Sequence, residues 1–122
     1  MRARIPQDDT IRKAAPMYKG LLGYFPGALF EIAAHSLECN LKHNPGDINP
    51  PHWDRNKSQD HEDCIIRHLI DAGSKTDPSD NRRYHLRAIA WRALALLQEY
   101  CEGEGYQSGV SSRESVNTDG KF

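Results

Sequence analysis

At 122 residues the chain has room for one domain with a modest core, and at 27% charged residues with a formal net charge of −1 it has no global basic field to attract nucleic acid. No apolar run approaches the roughly 20 residues that span a bilayer, and the opening MRARIPQDDT lacks the apolar segment of a secretory leader. Three cysteines, Cys39, Cys64 and Cys101, are an odd, sparse set that reads as free thiols in a reducing cytosol.

Residues 1–19 are polar and carry Pro6 and Pro16, which predicts an extended arm with a short helical turn near Asp9–Lys13. Leu21-Leu22-Gly23-Tyr24-Phe25 is an apolar lead-in expected to pack on the body. Pro26 suits the first turn of a helix that runs to about Lys42. Phe30, Ala34, Leu37 and Leu41 form one apolar stripe on it, the expected core face. Glu31, His35, Glu38 and Lys42 repeat the spacing one residue on, as a polar stripe at the expected rim of a helix–helix groove.

Asn44-Pro45-Gly46 ends that helix with turn chemistry. The loop that follows holds three prolines and no strand alternation, and it offers His43, Asn44, His52, Trp53, Arg55 and Lys57. The stretch SQDHEDCIIRHL, residues 58–69, opens the central helix. Ser58 is the predicted N-cap, and acids in the first turn suit the positive end of the helix dipole. Asp60, Asp63 and Arg67 fall at i, i+3 and i+7, on one face. Gly73 closes this helix near Ala72. Asp77-Pro78-Ser79-Asp80 is a turn, and a third helix spans Asn81–Cys101 with Leu86, Ile89, Ala90, Ala93, Leu94 and Leu97 toward a core. Gly103 and Gly105 end it. Residues 104–122 carry too little apolar surface to order and read as a tail.

Three long helices and no strand predict an all-α fold, a helical bundle over residues 20–103. Three such helices make a thin core, which a second copy would complete as a homo-oligomer, dimer or tetramer.

Carboxylates on two helices carry the chemistry. Glu31 and Glu38 on one and Asp60 and Asp63 on the next offer the oxygen ligands that Mg²⁺ or Mn²⁺ takes, commonly together with substrate phosphates. Glu31 and Glu38 are seven residues apart, about 10 Å along a helix axis, so they bracket an ion pair or only one is a ligand. The bland alternative is solvated surface acids. Lys42, His43, Asn44, Arg55, Lys57, Arg67, His68, His85 and Arg92 supply positive charge and donors for the outer oxygens of a polyphosphate. Any one of them alone is more often simply solvated. Trp53 is placed to stack a base or to cap the core.

Cys39 with His43, and Cys64 with His68, each place two zinc ligands one helical turn apart, so a Cys2His2 structural zinc site is a rival. An HN pair hints at HNH nucleases, whose ββα hairpin needs strands that are not visible. No nucleophile elbow, Gly-rich phosphate loop or dinucleotide fingerprint is present.

LKHNPG at 41–46, HWDRNKSQDHEDCIIRHLID at 52–71 and HLRAIAWRALALLQE at 85–99 resemble phage-encoded dATP/dGTP diphosphohydrolase-like proteins, relatives of the MazG all-α nucleotide pyrophosphohydrolases. The resemblance covers about residues 20–100. It implies a helical oligomer that uses two or three Mg²⁺ or Mn²⁺ ions to convert a purine deoxynucleoside triphosphate, dGTP before dATP, to its monophosphate and pyrophosphate. In some phages such enzymes work beside pathways that replace adenine by 2-aminoadenine, and the setting is then the cytoplasm of an infected bacterium. The wider MazG pattern is E-E-x-x-E on one helix and E-x-x-D on the next. Asp60-x-x-Asp63 fits the second with aspartate for glutamate. In the first, aligned on Glu38, Ala34 and His35 stand where two glutamates would, and Glu31 lies one turn earlier.

The expected site therefore has Glu31, Glu38, Asp60 and Asp63 as metal ligands, in a cleft between the first and second long helices. Glu38, Asp63 and Lys42 are the expected catalytic set. Lys42, His43, Asn44, Trp53, Lys57, Arg67 and His85 would bind substrate. The rival class is a non-enzymatic helical binding or assembly module, with the zinc staple as its sharpest form.

Overall fold

A computed structural model describes residues 4–43, 45–46, 53, 55, 59–73 and 81–106, all but the side chain of His43 among them. Every regular element among these residues is helical. Helix α1, Asp9–Ala14, is a short turn on the N-terminal arm. Its cap is Asp8, whose carboxylate accepts the Ile11 N–H at 3.2 Å. A π-helical turn follows at Tyr18–Leu22. It is tight: a Cβ on Gly20 would sit 2.9 Å from Pro16 Cγ, so only glycine fits there unshifted.

Helix α2, Pro26–His43, opens on the expected proline, and its lead-in packs against it through the π-helical turn. Helix α3 is His61–Gly73, two residues shorter at its start than the Ser58 cap predicts, and Ser58 lies outside the described residues. The Asp60 carbonyl accepts the Cys64 N–H at 3.0 Å, so Asp60 flanks the helix rather than riding on it. Helix α4, Arg82–Gly103, is the longest. It ends in a Schellman motif. Tyr106 N–H donates to the Cys101 carbonyl at 3.1 Å and Gly105 N–H to the Glu102 carbonyl at 3.2 Å, with Gly105 at φ +104°.

Helix α4 is the shared element. α3 packs along it, α2 packs along it, and α2 and α3 do not pack on each other among the described residues. The expected cleft between α2 and α3 is thus replaced by two interfaces on α4.

The packed faces are small and polar. Cys64, Ala72, Ala88 and Ala95 are the buried apolar residues, with His35, Asn40 and His61 buried beside them. Ala88 and Ala95, two turns apart, allow the close helix approach that α4 needs. The aliphatic stripes lie outside instead. Phe30 is 70% exposed, and Leu37, Leu41, Leu86, Leu94 and Leu97 are exposed with it, against the expectation that they form the core. On α2 it is the neighbouring stripe, Glu31, His35 and Glu38, that meets α4. Charge pairing with Arg87 and the Ser36–Trp91 bond fix that rotation of the helix. No helix among the described residues is long and apolar enough to cross a membrane.

Candidate functional site

The α2–α4 interface is organised around Arg87. Its Nε donates to Glu31 Oε1 at 2.8 Å and its Nη1 donates to Glu38 Oε2 at 2.8 Å. The guanidinium is largely shielded, at 11% exposure, while the Glu38 side chain stays open to solvent. Arg83 adds a longer contact to Glu31 at 3.4 Å. One planar cation therefore gathers two carboxylates that stand two turns apart on α2. Its hydrogen bond, more than its charge at a distance, holds the Glu31 carboxyl below the usual carboxylate range. The Arg87 guanidinium lies between Glu31 and Glu38.

One turn along α4 from Arg87, Trp91 donates its indole N–H to Ser36 Oγ at 2.9 Å. Trp53 meets Trp91 edge-on at 5.5 Å between ring centroids. The two indoles, Ile32, Ser36 and Gln98 wall a groove of about 380 Å³ between α2 and α4. The Arg55 guanidinium lies 3.7 Å over the Trp53 ring, so Trp53 is a wall of this groove with one face already covered.

A second cluster lies where α3 crosses α4. His61, at 2% exposure, accepts from Arg92 Nη1 through Nδ1 at 3.1 Å. Arginine only donates, so the His61 proton is on Nε2, aimed at Glu99 Oε1 3.6 Å away, too far for a hydrogen bond. His68 Nδ1 stands 2.9 Å from His85 Nδ1. Tyr84 packs against His68 and against His35 of α2, each at 5.6 Å between centroids. His35 Nε2 contacts Cys39 Sγ at 3.4 Å, and its Nδ1 is buried without a hydrogen-bond partner. Burial, and then Arg87, push the His35 pKa down. Burial, and then His85, do the same to His68. Burial pushes the Cys39 thiol up.

The remaining expected residues are scattered. Asp60 accepts from Arg67 at 3.3 Å, and Arg67 also donates to Cys64 Sγ at 3.0 Å. Asp63 is exposed in the first turn of α3, and Lys42 is exposed near the end of α2. Asn44, Lys57 and the His43 side chain lie outside the described residues. Asp60 and Asp63 are not gathered with Glu31 and Glu38, because α3 lies on α4 and not on α2. Among the described residues no three of His, Cys, Asp and Glu converge on a point that one metal ion would fill. Of the zinc tetrad, Cys39 meets His35, Cys64 meets Arg67 and His68 meets His85, and the His43 side chain lies outside the described residues.

Arg87, His61 and Trp91 carry contacts that the linear reading did not single out. A signal for Arg87 was present, since Arg83 and Arg87 stand one turn apart on α4. They make a basic stripe complementary to Glu31 and Glu38.

No family model matches this chain, and neither a curated protein nor a solved structure is significantly similar to it.

Proposed function

We propose that the protein is a metal-dependent hydrolase that converts a purine deoxynucleoside triphosphate, dGTP before dATP, to its monophosphate and pyrophosphate. The observation that carries this reading is the convergence of Glu31 and Glu38 on one cation, each 2.8 Å from the Arg87 guanidinium. Two carboxylates that already bracket a positive charge suit a hard divalent ion, and an arginine beside them suits phosphate. When bound, Mg²⁺ or Mn²⁺ would polarise phosphoryl oxygens and lower the pKa of a water. Glu31 and Glu38 would hold it. Arg87, released from them, would pair with a phosphoryl oxygen, and Lys42 would add charge. The groove at Trp53 and Trp91, one turn along α4, has room and aromatic walls for a purine. Asp60 and Asp63 are the second carboxylate set that the resemblance implies.

The exposed stripes of α2, α3 and α4 support a homo-oligomer in which a second copy covers them. They equally favour the rival reading of an assembly module without catalysis.

The test is a panel of ribo- and deoxynucleoside triphosphates with Mg²⁺ or Mn²⁺, read for pyrophosphate and monophosphate. Purine deoxynucleotides should be the best substrates. Glu38→Gln should lose turnover while the far-ultraviolet helix signal stays, and Asp63→Asn tests the second carboxylate set that the resemblance implies. A wild-type rate for Asp63→Asn would confine the site to the α2–α4 interface. No pyrophosphate release from any nucleotide would leave the assembly module.

A further inference from the structure

We infer that the N-terminal arm of one copy docks on the outward face of helix α3 of a second copy, which rests on the homo-oligomer reading and not on the hydrolase. Two apolar surfaces of the chain lack cover. The first is the arm. Helix α1 packs on no other helical element among the described residues, and the π-helical turn packs on α2 only. Met17, Tyr18, Leu21, Leu22, Tyr24 and Phe25 are all exposed, the two tyrosines at 73% and 74%. So many large apolar side chains in one short run mark an interaction surface, not scattered exposure. The second surface is a ridge on α3. The buried residues of that helix are His61, Cys64 and Ala72. Ile66, Leu69 and Ile70 are exposed. At about 100° per residue the two sets fall on opposite sides of the helix. The most apolar side of α3 therefore faces away from α4.

Charge selects the pairing. Residues 10–30 carry Arg12, Lys13 and Lys19 and no acid. Arg12 and Lys13 reach back to Asp9, whereas Lys19 is exposed inside the apolar patch. The α3 ridge is flanked by Glu62 and Asp63, both exposed, and Arg67 beside it is paired with Asp60. Arm on ridge brings a basic apolar surface to an acidic one. Arm on arm, or ridge on ridge, brings like charges together. A two-fold axis lets each arm reach the other copy's ridge, so two equal junctions form and the assembly closes. A lipid surface is the other partner that a basic, aromatic segment fits, but it would leave the α3 ridge uncovered.

The full-length chain is followed by light scattering over a range of concentrations. The wild type should self-associate, more weakly as salt rises. Tyr18→Ser with Tyr24→Ser on the arm, and Ile66→Ser with Ile70→Ser on the ridge, should each weaken association at least tenfold while the far-ultraviolet helix signal stays. An equimolar mixture of the two variants should associate more tightly than either alone, because an intact arm then meets an intact ridge. Lys19→Glu and Glu62→Lys should each weaken association, and the two together in one chain should restore it. Should the ridge variant lose helix, this charge exchange decides. An oligomeric wild type whose arm variant associates equally well would overturn the docking and leave the homo-oligomer standing. No recovery in the mixture would mean that like surfaces pair, and would overturn it too. A monomeric wild type would remove the homo-oligomer and the docking together, and its sedimentation with phosphatidylglycerol vesicles would assign the arm to lipid.

Discussion

Arg55 and Glu102 meet through two parallel hydrogen bonds, Nη1 to Oε1 at 2.6 Å and Nη2 to Oε2 at 3.0 Å, across 47 residues of chain. Both side chains are mostly shielded, and Gln98 donates to the same carboxylate at 2.9 Å. The pair ties the interhelical loop to the end of α4 and fixes the guanidinium over Trp53. Lysine at this position would keep the charge but lose the fork and the stacking. Arg55→Lys should therefore cost about 1.5–3 kcal/mol in urea denaturation. An unchanged midpoint would show that the pair contributes no more than two solvated charges.

Acid sensitivity should trace to arginine-paired carboxylates. Hydrogen bonds from Arg87 lower the pKa of Glu31 from its ordinary 4.5, and hydrogen bonds from Arg67 lower that of Asp60 from 3.8. The folded chain then binds fewer protons than the unfolded chain in this range. Their contribution is present above the ordinary values and is lost as pH falls through the lower folded ones. Arg87→Met removes the cause at Glu31, so the fall in melting temperature below about pH 4.5 should be shallower than in the wild type. Parallel curves would assign the acid limb to other groups.

A second pH dependence belongs to His35. Burial is the largest cause of its lowered pKa. Arg87, His68 and Arg92 act in the same direction and Glu38 opposes them. The unfolded chain takes up this proton below 6.5 and the folded chain resists it. Stability from this group is full above 6.5 and declines as pH drops toward the folded value. His35→Gln, which cannot titrate, should flatten the melting-temperature curve between about pH 5 and 7, with His68 supplying the residual slope. No change of slope would mean that the ring charges without penalty.

The exposed aliphatic stripe of α2 gives a direct test of self-association. Phe30 and Leu37 stand two turns apart on it. If a second copy covers this stripe, Phe30→Glu with Leu37→Glu should abolish that self-association in light scattering, because burying two charges against apolar surface is unfavourable by several kcal/mol. A wild-type chain that is monomeric at high concentration would sink the expectation at once.

Local patterning made the helices legible. Pro26 at the start of α2 and the glycines at the end of α4 are where turn and cap chemistry puts them. Which stripe faces inward was not legible. Phe30–Leu41 and Glu31–Lys42 are neighbouring stripes on one helix, and hydrophobicity alone ranks the first as core. The choice is made by partners 55 and 56 residues away, Trp91 and Arg87, which no local window contains. The same distance effect hid the site: the spacing of Glu31 and Glu38 was readable, but the guanidinium that joins them was not.

Sharing α4 between two partners has a kinetic consequence. Its contacts to α3 span short loops, 17 residues from His68 to His85 and 31 from His61 to Arg92, whereas those to α2 close 49 to 56 residues. Shorter closures lose less chain entropy, so the α3–α4 hairpin is the natural nucleus and α2 docks on it afterwards. Weakening the late interface should mainly hasten unfolding, and weakening the early one should slow folding. Helix α2, which carries both glutamates of the candidate site, is then the first long helix to detach when the native state opens.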